Sequence, residues 1–288
     1  MGAVLLLGGT GKLGHALREE LERRGIGFEA PTCDVLDLAG AGAAASWIEA
    51  AQPAMVLNAA GFTNVPACEL PDNAAEVERL NAKLPEELAT ACAKLSIPFL
   101  HVSTDYVFDG AHDRPYRETD AVSPLQAYGR SKLAGERAAL KAWKAALVIR
   151  VSTLYGPGNY GRDAYVDAIL RQVRAEDEGK TTLAVVETPV SSPTYAPDVA
   201  PAALDLLDRN VHGLVHVVNE GAASRLDLAR ATVAAAGLSE RVRVIPKPEP
   251  VTGLARPSYS VLATAKLAKL LGRRLPHWED ALRRYVGA

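Results

Sequence analysis

A short apolar run followed at once by a glycine-rich turn opens this chain, and it limits the possible folds more than any other stretch. Residues 3–7 (Ala-Val-Leu-Leu-Leu) carry no polar side chain, the pattern of a parallel strand buried on both faces. Gly8-Gly9-Thr10-Gly11-Lys12-Leu13-Gly14 comes next, and residues 15–24 read as a helix. Gly8 suits a tight turn, Gly11 lets the backbone approach a pyrophosphate, and Gly14 lets helix and strand pack closely. The helix N-terminus supplies amide donors and the positive end of a dipole. Strand, glycine turn and helix in that order predict a dinucleotide-binding unit.

The following residues extend the same pattern. A short second strand is expected around residues 26–30. Its end, Ala30-Pro31-Thr32, lacks the acid that often holds a ribose 2′-hydroxyl. No arginine directly follows the strand, although Arg23 and Arg24 precede it. NADPH is the expected cofactor, with NADH tolerated. Asp34 and Val35 are placed to touch the adenine, and Asp34 reads equally as a turn residue. A helix over 42–51 leads to a third strand over 54–58 and the loop Asn58-Ala59-Ala60-Gly61-Phe62-Thr63. Small residues at Ala59, Ala60 and Gly61 would let the backbone pass beneath a cofactor at the sheet edge where ligands bind. Residues 72–95, with Asn81 among them, show one long helical pattern with an interruption expected near Pro85. A fourth strand over 97–102 runs into Ser103-Thr104-Asp105-Tyr106-Val107-Phe108-Asp109-Gly110.

Residues 109–124 read as a loop and 146–151 as a fifth strand. Beyond it the regular alternation weakens. Loops are expected at 155–159 and 191–194, a charged turn at 175–180, helices at 163–174, 198–208, 226–236 and 278–286, and strands at 183–186 and 212–219, with 242–247 as a further segment. Residues 256–262 form one further segment. The expected fold is α/β, a doubly wound parallel sheet with a smaller C-terminal lobe. Residues 1–151, joined by about 195–219, form the dinucleotide-binding domain, and 152–194 with 220–288 form the lobe.

Tyr128 and Lys132 are four residues apart on an expected helix, so they share one face. An ammonium near a phenol favours its ionised form. A free tyrosine titrates near about 10, and lowering that to about 7 needs roughly 4 kcal/mol. Lys132 is expected to supply that stabilisation, which would let Tyr128 hand a proton to a carbonyl oxygen. A hydroxyl at the end of the fourth strand, Thr104 or its neighbour Ser103, would sit beside Tyr128, and two donors could then grip one oxygen. Thr104 is the assigned catalytic partner.

The net charge of −2 gives no electrostatic case for nucleic acid or an anionic membrane. The apolar runs are too short to span a bilayer. Three cysteines without a C-x-x-C pair fit reduced thiols in a cytoplasmic protein. The six histidines lack metal-ligand spacing, so no metal site is expected.

Taken together, the G-x-x-G-x-x-G turn, Ser-Thr-Asp-Tyr-Val-Phe-Asp-Gly at 103–110 and Tyr128-x-x-x-Lys132 resemble the extended short-chain dehydrogenase/reductases, and more narrowly the dTDP-4-dehydrorhamnose reductase family. Further matches are Asn58-Ala59-Ala60, Thr63, Val65, Glu118-Thr119-Asp120, Arg150 with Ser152, Ser192-Pro193-Thr194, Arg256-Pro257 and Leu275-Pro-x-Trp278. The resemblance implies a Rossmann fold and NAD(P)H-dependent reduction of the 4-keto group of a dTDP-6-deoxysugar, in a monomer or homodimer. It implies that Tyr128 donates the proton and Lys132 tunes it and holds the nicotinamide ribose. Thr104 would bind the keto oxygen, and Lys12 and Leu13 would assist Gly8, Gly11 and Gly14 at the phosphates. Substrate contacts are implied for Thr63, Val65, Asp105, Tyr106, Ser152 and Arg256.

Two departures bear on the substrate. The family follows its Thr-Ala-Val with Asp-Lys-Ala-Glu, where this chain has Val65-Pro66-Ala67-Cys68-Glu69. The family's Arg-Thr-Ser-Trp is here Arg150-Val151-Ser152-Thr153, without the aromatic wall that would bury sugar surface. Similar departures occur in non-catalytic relatives such as the β subunit of methionine adenosyltransferase. A dinucleotide-binding regulatory subunit is therefore one alternative, and another sugar-nucleotide reductase or epimerase is a second.

Overall fold

The first strand is as deeply buried as its composition requires, and the sheet grows outward from it. In the computed structural model, which describes residues 2–158, 164–175, 181–248 and 254–287, strand β1 (Val4–Leu7) has every side chain at 2% exposure or less. The chain continues through α1 (Lys12–Arg23), β2 (Phe28–Glu29), α2 (Ala43–Ala51), β3 (Met55–Asn58), α3 (Ala74–Glu78), α4 (Leu84–Leu95), β4 (Phe99–Thr104), α5 (Ala127–Ala142) and β5 (Leu147–Val151). After these come β6 (Leu154–Tyr155), α6 (Tyr165–Ala175), β7 (Thr181–Val185), β8 (Val190–Ser191), β9 (Thr194–Tyr195), α7 (Ala196–Asp208) and β10 (Gly213–His216). The last elements are β11 (Ala223–Ser224), α8 (Arg225–Ala235), β12 (Val242–Pro246), α9 (Ala265–Leu271) and α10 (Trp278–Val286).

The central sheet has the order β10-β5-β4-β3-β1-β2, and every neighbouring pair is parallel. Alternation along β1 divides its side chains between two cores. Val4 and Leu6 join Leu17, Leu21, Val199, Leu204 and Leu267 on one face. Leu5 and Leu7 join Ile48, Leu84, Leu88 and Phe99 on the other. Helices thus cover both faces, the doubly wound Rossmann arrangement. The strand order reverses between β1 and β3, and the crevice above that point is where such sheets bind ligands.

A smaller apolar body forms beside the sheet. Strands β7 and β12 pair in parallel. Around them Ile169, Val173, Leu183, Leu226, Val233 and Val242 share one cluster. Tyr155, Val166, Leu170, Leu228, Trp278 and Leu282 form another. Residues from either side of α7 and β10 in sequence therefore share cores. Helix α9 does not join them, because Leu267, Leu271 and Leu275 pack into the sheet core beside α7.

Several local expectations are refined. The interruption expected near Pro85 in the 72–95 helix falls just ahead of it, over Arg79–Lys83, where one π turn carries Asn81. Pro85 stands four residues after Asn81 and offers no N–H to the Asn81 carbonyl, which accounts for the departure from α geometry there. Residues 256–262, expected only as one further segment, make isolated bridges, Val190 to Tyr259 and Tyr116 to Leu262. Helix α9 was not anticipated, although Gly272 in the left-handed conformation caps it as helix-ending glycines commonly do. The charged turn expected at 175–180 and the segment ends expected at 159 and 163 fall largely outside the described residues. Among those described, no helix is long and apolar enough to cross a membrane.

The π turn brings two backbones together. A Cβ on Gly135 would lie 2.0 Å from the Asn81 carbonyl oxygen and 3.0 Å from Pro85 Cγ. Because both obstacles belong to packed helices, Gly135→Ala should destabilise the fold by roughly 3 kcal/mol. Urea denaturation is the check, and an unchanged midpoint would refute the close approach.

Candidate active site

The glycine turn takes the form its spacing requires. Gly8 has φ +78°, and a Cβ there would strike the Ala59 and Ala60 backbone at 2.6 Å. A Cβ on Gly14 would meet the Gly8 carbonyl oxygen at 2.0 Å. Gly11 differs, since its missing Cβ would have only the Gly8 oxygen nearby, at 3.5 Å, and the space above it is open. Gly11 also caps α1, whose first turn has neither a side-chain cap nor an acid. Uncapped amides facing open space suit a pyrophosphate. The Lys12 side chain is turned away from that space. Its Nζ donates to the Gly156 and Gly158 carbonyls, both at 3.1 Å, and to Asp167 Oδ2 at 2.7 Å. The Leu13 side chain is likewise turned away, into the core.

Across the crevice, the loop after β3 is fixed from beneath. The Ala59 amide donates to the Leu7 carbonyl, and the Ala60 amide donates to Asn58 Oδ1. Asn81 accepts from the Phe62 amide at 2.8 Å and donates to the Phe62 carbonyl at 2.9 Å and to Ser131 Oγ at 3.0 Å. A Cβ on Gly61 would lie 2.9 Å from Asn81 Oδ1 and 3.6 Å from Lys132 Nζ. Ala59, Ala60 and Gly61 are thus held close to Lys132. At the end of β2, Asp34 and Val35 lie in an exposed turn closed by the Val35 amide on the Thr32 carbonyl at 3.0 Å. Val35 is 59% exposed, an apolar surface open to a stacked ring.

Thr104 and Tyr128 converge. Their side chains interact at the C-terminal end of β4, where α5 begins. Burial pushes the Tyr128 phenol well above the ordinary tyrosine range; the Thr104 side chain opposes the rise and the charge of Asp105 adds to it. In the ligand-free protein burial outweighs the pull expected from Lys132, so the phenol does not approach neutrality. The Lys132 ammonium is buried and donates to the Val102 carbonyl at 2.7 Å. Tyr128 is therefore a protonated donor in the ligand-free protein, the state that carbonyl reduction requires.

Asp105 and Ser152, expected at the substrate, are instead bonded to each other inside the chain. The Asp105 carboxylate is 3% exposed. It accepts from Thr104 Oγ1 at 3.1 Å, from Ser152 Oγ at 2.9 Å and from Ser260 Oγ at 2.6 Å. Burial raises its pKa, and the three hydroxyls oppose the rise. Ser103 also faces inward, donating to Glu136, which receives two bonds from the buried Arg150. Tyr106 does face the site, with its ring edge-on to Tyr128 at 6.0 Å. Burial and Asp105 raise its pKa, while the charges of Arg256 and Arg225 and a hydrogen bond with Arg225 lower it. Thr63 and Arg256 are exposed and Val65 is partly buried. Sequence reasoning gave no role to Asn81, Glu136 or Arg225. For Asn81 the only available signal was a polar residue on the buried side of a helix.

The buried ammonium has a consequence for stability. Burial pulls the Lys132 pKa down to about 8, and Glu136 partly restores it. An unfolded lysine titrates near about 10.4. Between those values the unfolded chain holds more protons at this site, so its contribution to stability rises with pH across the window and is least favourable below pH 8. The unfolding free energy of the wild type relative to Lys132→Met should thus increase by on the order of 3 kcal/mol across it. Urea titrations at several pH values measure this, and a flat difference would show that the ammonium is not desolvated.

Residues 2–288 match the family described as the RmlD substrate binding domain. A Mycobacterium tuberculosis protein named dTDP-4-dehydrorhamnose reductase is 38% identical over 290 residues, covering 97% of this chain and 90% of that protein. A Streptomyces niveus protein named dTDP-4-keto-6-deoxy-D-glucose reductase is 32% identical, covering 96% of this chain and 94% of that one. Among solved structures, a dTDP-4-dehydrorhamnose reductase from Bacillus anthracis in complex with NADP has a TM-score of 0.89 at 27% identity, covering 99% of this chain and 98% of that one. A match along nearly the whole length, with the glycine turn and the Thr104–Tyr128 pair in place, means that this chain belongs to the dTDP-4-dehydrorhamnose reductase family.

Proposed function

We propose that this chain reduces the 4-keto group of a dTDP-linked 6-deoxysugar with NADPH, as in dTDP-L-rhamnose formation. The meeting of the Thr104 and Tyr128 hydroxyls beside an open glycine turn carries this reading. Reducing a ketone needs a hydride at carbon and a proton at oxygen, and NADPH supplies the hydride when bound. Gly8, Gly11 and Gly14, with the Lys12 and Leu13 amides, would hold its phosphates. Ala59, Ala60 and Gly61 would line its path, and Asp34 and Val35 would meet the adenine.

Tyr128 holds the proton. Its phenol is neutral, and a keto oxygen reaching it takes the Tyr128 hydrogen bond first. In the free protein Thr104 points its own proton at Asp105. It adds a second bond to the keto oxygen by turning from that carboxylate, which keeps the Ser152 and Ser260 bonds. As Tyr128 gives up its proton, the Lys132 ammonium one helical turn away stabilises the phenolate left behind. Lys132 also lies within reach of a nicotinamide ribose, given its proximity to Gly61.

Thr63, Val65, Tyr106 and Arg256 are the proposed substrate contacts, and Arg225 joins them through Tyr106. Two guanidinium groups on one side of the site suit the diphosphate of a nucleotide sugar. Residues 152–194 and 220–288, apart from α9, would form the substrate lobe. We place the protein in the cytoplasm as a monomer or homodimer; none of the three cysteines is joined in a disulfide, as a reducing compartment would keep them. A regulatory role alone would not call for a protonated phenol set against a second hydroxyl, and the enzymatic reading is favoured over it.

Oxidation of NADPH on adding a dTDP-4-keto-6-deoxysugar tests the activity. Tyr128→Phe should lower turnover by at least about a hundredfold, with the affinity for NADPH nearly unchanged. Full turnover in that variant would sink the mechanism. Cofactor binding without oxidation across a panel of keto-sugars would favour the regulatory reading instead.

A further inference from the structure

The residue that recognises the adenosine end of the cofactor is not one of the arginines next to β2. Arg23 is paired with Glu20 at 2.7 Å, and Arg24 with Glu20, Asp205 and Asp208 at 2.6, 2.7 and 2.8 Å. Both lie at the far end of α1 from the glycine turn. Lys12 is held by Gly156, Gly158 and Asp167. Arg18, midway along α1, remains. It is exposed, and among the described residues no carboxylate pairs with it.

Its position is defined by Gly9. A Cβ on Gly9 would touch Ala30 Cβ at 3.0 Å and Arg18 Cδ at 3.4 Å. The Arg18 guanidinium lies 6.0 Å from the centre of the Phe28 ring in β2. Gly9, the end of β2 and Arg18 therefore share one surface. In a doubly wound sheet the pyrophosphate lies at the start of α1 and the adenosine ribose lies toward the end of β2. Glu29, the last residue of β2, alternates to the opposite face from Phe28 and Ala30, so the surface that Arg18 shares with them carries no strand carboxylate to take a ribose 2′-hydroxyl. Ala30-Pro31-Thr32 follows the strand, and Asp34 is engaged by Thr32.

We infer that Arg18 selects NADPH over NADH by pairing with the 2′-phosphate on the adenosine ribose. This rests on the dinucleotide-binding reading above. A guanidinium suits a phosphate because its parallel N–H donors match two oxygens, and an exposed arginine reaches it without first breaking an ion pair.

Equilibrium binding is the test, read by titration calorimetry on the wild type, Arg18→Gln and Arg18→Lys, with NADPH, NADH, 2′,5′-ADP and 5′-ADP. Arg18→Gln should weaken NADPH and 2′,5′-ADP by about 10- to 100-fold and change NADH and 5′-ADP by less than about twofold. Arg18→Lys should recover part of the loss, because a point charge replaces the fork. Arg23→Gln, at an arginine already paired, should leave the NADPH-to-NADH ratio unchanged. An unchanged ratio in Arg18→Gln, or an equal loss for phosphorylated and unphosphorylated ligands, would overturn the assignment. Failure of all four ligands to bind the wild type would instead overturn the dinucleotide reading beneath it.

Discussion

One buried carboxylate holds the reactive end of this protein together. Asp105 receives hydroxyl protons from Thr104 at the end of β4, Ser152 just after β5 and Ser260 near the C-terminus. Desolvating a carboxylate is costly unless several donors compensate for it, so none of the three segments can move independently. The hydroxyl that meets Tyr128 is therefore oriented by residues that need not touch a ligand. Beside this group, Glu136 and Arg150 lie back to back, with the Arg150 guanidinium 5.0 Å from the centre of the Phe108 ring. The core below the site is thus polar, ionic and bonded across strand and helix.

Above that base, two loops meet where the sheet reverses order. The Gly8 turn and the loop after β3 touch backbone to backbone, which fixes the width of the crevice. Lys12 then ties the start of α1 to residues 156–158 and to α6, so the smaller lobe is registered against the phosphate turn. The glycine turn and the smaller lobe share one short piece of helix and so keep a common reference.

Features encoded in adjacent residues were legible in the sequence. The apolar run before Gly8, the glycine spacing and the Tyr128–Lys132 interval each act within a turn or two of chain, so periodicity and steric rules reveal them. The Asp105 group was not, because Ser260 lies 155 residues away and a serine carries no local mark of a buried bond. The direction of the Lys132 ammonium was missed for the same reason. Helical spacing places it near Tyr128 but says nothing of the Val102 carbonyl on a neighbouring strand. Helix α9 hid because the weakened alternation after β5 suggested a separate lobe, whereas its leucines return to the sheet.

The contact between Gly135 and the π turn bears on how such a protein can change. Two helices meet there main chain to main chain, with no side chain between them to absorb a difference in size. The extra residue in the turn sets where Asn81 sits, and Asn81 sets the height of the Phe62 loop. A substitution at position 135 and a deletion in the turn would each be harmful alone, so the two positions are locked into a shared history. Changes in size are therefore better tolerated in loops that do not rest on that joint.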